Sequence, residues 1–354
     1  MGVLRILLAA CVYFYHMGLS NAFALNILDG GAAVFCFFVV SGFYMEMVLT
    51  QKYTAKRLGD RYVLAFYASR FWRLYPIYLV VLLSTLILST SSLHTRFPKI
   101  LDISSCVDLF SCSRSVFTWF INLTMMGLNF PSTSDLLIGP SWSLGIEIGF
   151  YAIAPFVLML NARKLWLLSG IGVFLQIVPY GQHSPVLFGF HFFLLGALAR
   201  RYSDEINRWV LRIWTPSTLV LYLVVFAFMF CSIPNDLYIG MPNEHTHNSV
   251  VRLFYPVLIA VIVPILHERT KNSNLDIWIG QMSYPFYLMH ALVIDSFSWV
   301  DSEYRTLSLL VVCIVLSGAL VFLENRYVDP WRARFSRGYE KASMWPIGNE
   351  RDKK

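Results

Sequence analysis

The sequence predicts an all-α polytopic membrane protein, with about ten transmembrane helices around an intramembrane polar cavity. Three observations carry this expectation. Of the 354 residues, 57% are hydrophobic and only 14% charged, a balance unlike that of a soluble domain. The apolar residues fall in runs approaching the roughly 20 positions that cross a hydrocarbon core about 30 Å thick. When the runs alternate in direction, 23 of the 28 Lys and Arg fall on one side, the exceptions being Arg96, Lys99, Arg114, Arg252 and Arg305. That bias places both termini in the cytoplasm. The net charge of +7 is therefore a topology signal and not an affinity for nucleic acid.

The first run, Val3 to Leu19, is read as a retained span because no small-residue cleavage site follows it. The second is Gly30 to Leu49, followed by a basic connector with Lys52, Lys56, Arg57 and Arg61. The third starts near Ala68 and ends near Ser89. Residues 92–140 form a long loop whose apolar piece, Val116 to Leu128, is too short to cross and is read as interfacial or re-entrant. Cys106 and Cys112 share this loop, where a disulfide would require an oxidising compartment. Cys11, Cys36, Cys231 and Cys313 lie in apolar runs as small hydrophobes. The later spans are Trp142 to Leu160, Leu165 to Tyr180, Val186 to Ala199, Ser217 to Ile233, Val250 to Leu266, Ile277 to Trp299 and Thr306 to Leu323. Residues 1–330 thus form one membrane-embedded domain, and 331–354 a basic cytoplasmic tail.

Against this apolar background a few polar residues stand out. Arg5 and His16 are eleven positions apart, about three helical turns, so they share a stripe, with the imidazole roughly 16 Å further along the axis and near mid-depth. Ionisable groups at such depth are costly and point to function, although His16 could equally bond a neighbouring helix. Arg70 and Arg73, three apart at the cytoplasmic start of a span, suit a phosphate clamp. Snorkelling is the plainer alternative. Ser143, Glu147 and Tyr151 recur every four residues on one helical face. Glu147 reads as the one acidic residue well inside an early span, a candidate acid/base or a partner for histidine. His290, after the helix-kinking Pro285, could line the same cavity or equally serve packing. His191 reads as core, and His245 with His247 lack any further ligand pattern for a metal.

These residues carry a resemblance. Arg-x10-His in the first span, FFVVSGF in the second, Arg-x-x-Arg before Leu-Tyr-Pro, WSLGIEIGFY, FFLLGALARR and IGQMSYPFYLMH occur in that order from Arg5 to Pro330. Together they resemble acyltransferase family 3 of the membrane-bound O-acyltransferases, in its stand-alone form without a fused hydrolase-like domain. The resemblance implies transfer of an acyl group, usually acetyl, from cytoplasmic acyl-CoA to a hydroxyl of a cell-surface glycan or lipid-linked glycan in a bacterial inner membrane. It also implies His16 as the principal catalytic residue, with Arg5, Arg70 and Arg73 on the donor side. Glu147 would assist His16 or hold the acceptor, and Ser143, Tyr151 and His290 would line the acceptor site. Acetyl-CoA is the expected donor, no metal is expected, and glycan-assembly enzymes are conceivable partners. Two readings of other classes compete: a secondary transporter of a glycan or acylated metabolite, against which stands the lack of an internal repeat, and a non-catalytic scaffold.

Overall fold

The computed structural model describes residues 1–18, 30–89, 109–129, 136–177, 189–230, 244–299 and 304–332. Among them the regular structure is entirely helical. In chain order the helices are α1 (Gly2–His16), α2 (Gly30–Gln51), α3 (Ala55–Leu58), α4 (Tyr62–Ser89), α5 (Leu109–Thr124), α6 (Trp142–Val157) and α7 (Ala162–Ile177). They continue with α8 (Phe190–Arg201), α9 (Ser203–Ile213), α10 (Thr218–Phe230), α11 (Glu244–Thr270), α12 (Asn274–Ser296) and α13 (Arg305–Leu323).

Among the described residues, four helical segments are long and apolar enough to cross a membrane: Gly30–Gln51, Ala55–Leu88, Leu253–Thr270 and Arg305–Arg332. A fifth is added if the pair α9 and α10, bent by 93° at its break, counts as one. The expectation of about ten is not reached among the described residues. The reason is length: α1 has 15 residues, α6 and α7 have 16 each and α8 has 12, so each rises only about 18–24 Å. Between the expected spans ending at Ala199 and starting at Ser217 lies the strongly amphipathic α9. His245 and His247, expected in a loop, belong to α11. Of the piece expected over 116–128, residues 116–124 are the end of helix α5, and a turn follows. Cys106 and Cys231 lie outside the described residues, while Cys11, Cys36 and Cys313 are buried and unbridged.

The core is built around α2, which packs most extensively on α8 and also meets α1, α6 and α11. Glycine makes this approach possible: a Cβ on Gly42 would lie 1.9 Å from the Phe193 carbonyl, and one on Gly196 1.9 Å from that of Val39. Small residues at such crossings let backbones touch and pack without a hydrophobic driving force. Beside them Phe38 and Phe150 both stack on Phe193, with centroids 4.5 and 4.3 Å away. Glu46 corrects the reading of Glu147 as the one early intraspan carboxylate. It is buried on α2 and paired to Arg201 of α8, Nε to Oε1 at 2.7 Å, while Arg201 also donates to the carbonyls of Leu158 and Leu160. One guanidinium thereby joins α2, α8 and the turn that follows α6.

A second group positions the candidate site. Asp276, in the first turn of α12, accepts the amides of Gly2 at 2.7 Å and Val3 at 3.0 Å, supplying the otherwise unsatisfied donors at the start of α1. Gly2 and Gly280 then let α1 and α12 run in contact. On the far flank α12 packs on α13 and α4.

Candidate functional site

Two cavities meet at Arg5 of α1. The outer one lies at the start of α1 and includes Lys271, Asp276, Glu324 and Arg332. The inner one is bounded by the apolar flank of α2 and by Ser41, Ser143, Glu147, Tyr151 and Tyr287. Both are lined by Arg5, Tyr44, Arg73 and Tyr284, so these four side chains form the neck between them. Gly280 borders this neck: a Cβ there would lie 2.8 Å from Gly2 Cα, and Arg5 Nη1 passes at 3.9 Å, an ordinary contact. Tyr284 donates to the carbonyl of Leu74 at 2.9 Å, fixing α12 to α4 next to Arg73. Among the described residues neither Arg5 nor Arg73 is held in an ion pair, whereas Arg332 is paired to Asp329 at 2.8 Å and to Glu324 at 3.7 Å.

The expected stripe on α6 is partly assembled as a network. Glu147 Oε1 accepts from Ser41 Oγ at 2.7 Å and from the Tyr151 hydroxyl. Ser143 and Tyr287 share a hydrogen bond of 2.8 Å, and both reach the Pro140 carbonyl, at 3.1 and 3.0 Å. A carboxylate with two hydroxyl donors, facing cations across a partly apolar chamber, offers fixed charge for orienting a polar substrate.

The structure separates Arg70 from Arg73. Arg73 lines both cavities, while Arg70 lines neither. It is buried, with its guanidinium 5.7 Å from the Phe66 ring centroid and Nη2 on Ser69 Oγ at 3.3 Å. Its Nε and Nη1 have no hydrogen-bond partner among the described residues. Helical spacing put the two arginines on one face, but a flexible stem let Arg70 fold back one turn onto an aromatic ring.

His16 also departs from expectation. It is exposed and occupies the last turn of α1, because the helix closes at Met17 and Gly18 turns the chain with φ +70°. The imidazole therefore stands at the far end of α1, outside both cavity linings. Its Nδ1 lies 2.8 Å from the Val12 carbonyl. A carbonyl only accepts, so in the neutral imidazole Nδ1 carries the proton and Nε2 the lone pair. His290 lies with its ring centroid 5.1 Å from that of His16. It is fully buried and sits behind Tyr287, not in the inner lining. His191 is buried against Phe192, as core. Among the described residues no three His, Cys, Asp or Glu side chains converge as metal ligands.

Ser41, Tyr44, Tyr284 and Tyr287 were not singled out in the sequence. The three-residue recurrence of Ser41 with Tyr44, and of Tyr284, Tyr287 and His290, carried the signal, hidden among 28 Phe and 19 Tyr.

A family model described as an acyltransferase domain matches residues 1–324. The chain belongs to acyltransferase family 3. In this acyltransferase the whole neck, the inner network and both histidines fall within the matched segment. A protein of the Acidianus two-tailed virus, ORF330, provisionally named as an acetyltransferase, is 23% identical over 167 residues, covering 43% of this chain and 47% of its own length. The chain thus spans about half the length of that relative. No solved structure matches the chain.

Proposed function

We propose that the protein moves an acyl group, most simply acetyl, from acyl-CoA to a hydroxyl of a cell-envelope polysaccharide or its lipid-linked precursor. In this reading the chain crosses a bacterial cytoplasmic membrane about ten times, the shorter helices included, and keeps both termini inside. The observation that carries it is the pair of cavities in series. The outer cavity would receive the phosphates of coenzyme A, and Arg5 and Arg73 at the neck would bind them with charge-assisted hydrogen bonds. The pantetheine arm would pass the neck and cross the inner cavity, bringing the thioester to the His16 end of α1. His16, open on the opposite side, would meet the acceptor.

The lone pair on His16 Nε2 takes the acceptor proton as the hydroxyl oxygen bonds to the thioester carbon. The carbon–sulfur bond then breaks, and coenzyme A leaves as a thiolate that must regain a proton. Glu147, held by Ser41 and Tyr151, would orient the donor arm or the acceptor, with Ser143, Tyr151 and Tyr287 as hydrogen-bonding groups. The test is acetyl transfer from radiolabelled acetyl-CoA to membrane glycan by the purified protein in proteoliposomes. Label in glycan with wild type and none with His16→Gln supports the proposal. Label transfer by His16→Gln at the wild-type rate sinks it, as does uptake of intact substrate without covalent product.

A further inference from the structure

The lining of the outer cavity is divided by charge. Arg5 and Arg73 at the neck are held in no ion pair among the described residues, whereas Arg332 is paired to Asp329 at 2.8 Å and to Glu324 at 3.7 Å. Two carboxylates to one guanidinium leave that part of the lining net negative, a poor place for a phosphate. The same cavity is lined by two primary amides, Gln281 of α12 and Asn325 of the π-helical turn Glu324–Val328 that continues α13. Turns of this kind recur at functional sites. Gln281 directly follows Gly280, which borders the neck, and neither amide lines the inner cavity. Asn325 Nδ2 donates to Gln281 Oε1 at 3.2 Å. Each amide has two donor hydrogens and an acceptor oxygen, so this bond leaves a donor on Gln281 Nε2 and an acceptor on Asn325 Oδ1. If both amides turn over, the bond survives, and one donor and one acceptor are still left.

We infer that this amide pair binds the adenine of the acyl-CoA donor. Adenine presents its N7 acceptor beside its N6 amino donor, the edge that Asn and Gln side chains read in nucleic acids. Gln281 Nε2 donates to the ring nitrogen, and Asn325 Oδ1 accepts from the amino group. The base is uncharged, so the carboxylates around Arg332 do not repel it, while the diphosphate goes to the unpaired Arg5 and Arg73. The two parts of the nucleotide are thus sorted by charge within one cavity. The inference rests on the acyl-transfer reading above and adds how the donor is recognised; Asn325 lies just beyond the segment 1–324 that the family model matches.

The experiment is isothermal titration of detergent-purified wild type, Gln281→Ala, Asn325→Ala and the double variant. Each is titrated with acetyl-CoA, with its 3′-dephospho form and with S-acetyl-4′-phosphopantetheine, which lacks the adenosine. The double variant is expected to bind acetyl-CoA about 10- to 30-fold more weakly, the scale of two neutral hydrogen bonds, and each single variant about fivefold more weakly. The single variants keep the comparison available if the double variant melts early. The same loss is expected with the 3′-dephospho form, and affinity for the phosphopantetheine thioester should stay within about twofold of wild type. Equal losses for all three ligands would mean that the amides only brace α12 against the end of α13, and the inference falls. Unchanged acetyl-CoA binding by the variants also overturns it. So does a loss that disappears with the 3′-dephospho form, which would assign the amides to a phosphate. If wild type binds none of the three ligands, the acyl-transfer reading itself fails.

Discussion

Replacing Arg73 with Ala and Arg70 with Ala separates the two members of the Arg-x-x-Arg pair. Arg73 lines both cavities and, among the described residues, is held by no carboxylate, so its forks are available to a phosphate. A hydrogen bond to a charged group is worth about 1.5–3 kcal/mol. At 1.4 kcal/mol per factor of ten, Arg73→Ala should weaken acetyl-CoA binding by about 10- to 100-fold. Arg70 is 8% exposed and turned onto Phe66. Its removal deletes a buried charge and leaves a void, which alters stability more than affinity. Arg70→Ala should therefore leave the Kd within about threefold. Isothermal titration of detergent-purified protein with acetyl-CoA at fixed low salt gives both values, and a salt series should flatten for Arg73→Ala only. If the two variants lose equal affinity, the neck assignment is wrong.

Glu147→Gln keeps an oxygen for the Ser41 and Tyr151 hydroxyls but removes the charge. Its melting temperature should stay near wild type while label transfer drops about 100-fold, and an unchanged rate would confine Glu147 to structure. Gly42→Val should fail to give monodisperse protein, because even a Cβ lies 1.9 Å from the Phe193 carbonyl. Overpacking of this kind costs about 1–3 kcal/mol or more, and a wild-type elution profile with unaltered melting would contradict the α2–α8 contact. Arg201→Ala strands Glu46 in the core, at about 3–5 kcal/mol. Thermal unfolding should show that loss, with recovery in the Glu46→Gln/Arg201→Met double variant.

The helical class and the polar residues worth watching were legible in the sequence, because apolar runs and their interruptions are local properties. Ser143, Glu147 and Tyr151 were grouped by their four-residue spacing, and a hydrogen-bonded Tyr151–Glu147 pair is what that spacing produces. Three things were not legible. The partner of Glu46 is 155 positions away in sequence, and no periodicity connects α2 to Arg201. The depth of His16 depended on where α1 stops, and the chain closes it at Met17, before Leu19. The fate of Arg70 depended on a side-chain torsion, since shared helical faces fix where a stem begins and not where its guanidinium ends.

The proposed function assigns the two ends of α1 to opposite sides of the membrane. Its 15 residues rise about 22 Å, with the outer cavity at its start and the exposed Tyr15 and His16 at its end. In the proposed reading, donor and acceptor would approach the same helix from opposite ends, with the start of α1 on the cytoplasmic side, where acyl-CoA is made. Membrane-impermeant maleimide tests this once Cys106, Cys112 and Cys231 are replaced by Ser, the buried Cys11, Cys36 and Cys313 being shielded. Lys271→Cys, at the rim of the outer cavity, should be labelled only in inside-out vesicles. Tyr15→Cys, where the native side chain is 45% exposed, should be labelled only in intact spheroplasts. Labelling of both from one side would mean that α1 does not separate two compartments, and transfer along it from inside donor to outside acceptor would have to be abandoned. Labelling of both with reversed sides would put the neck arginines where no acyl-CoA is present, leaving the cavities intact but assigning them to an anionic substrate that arrives from outside.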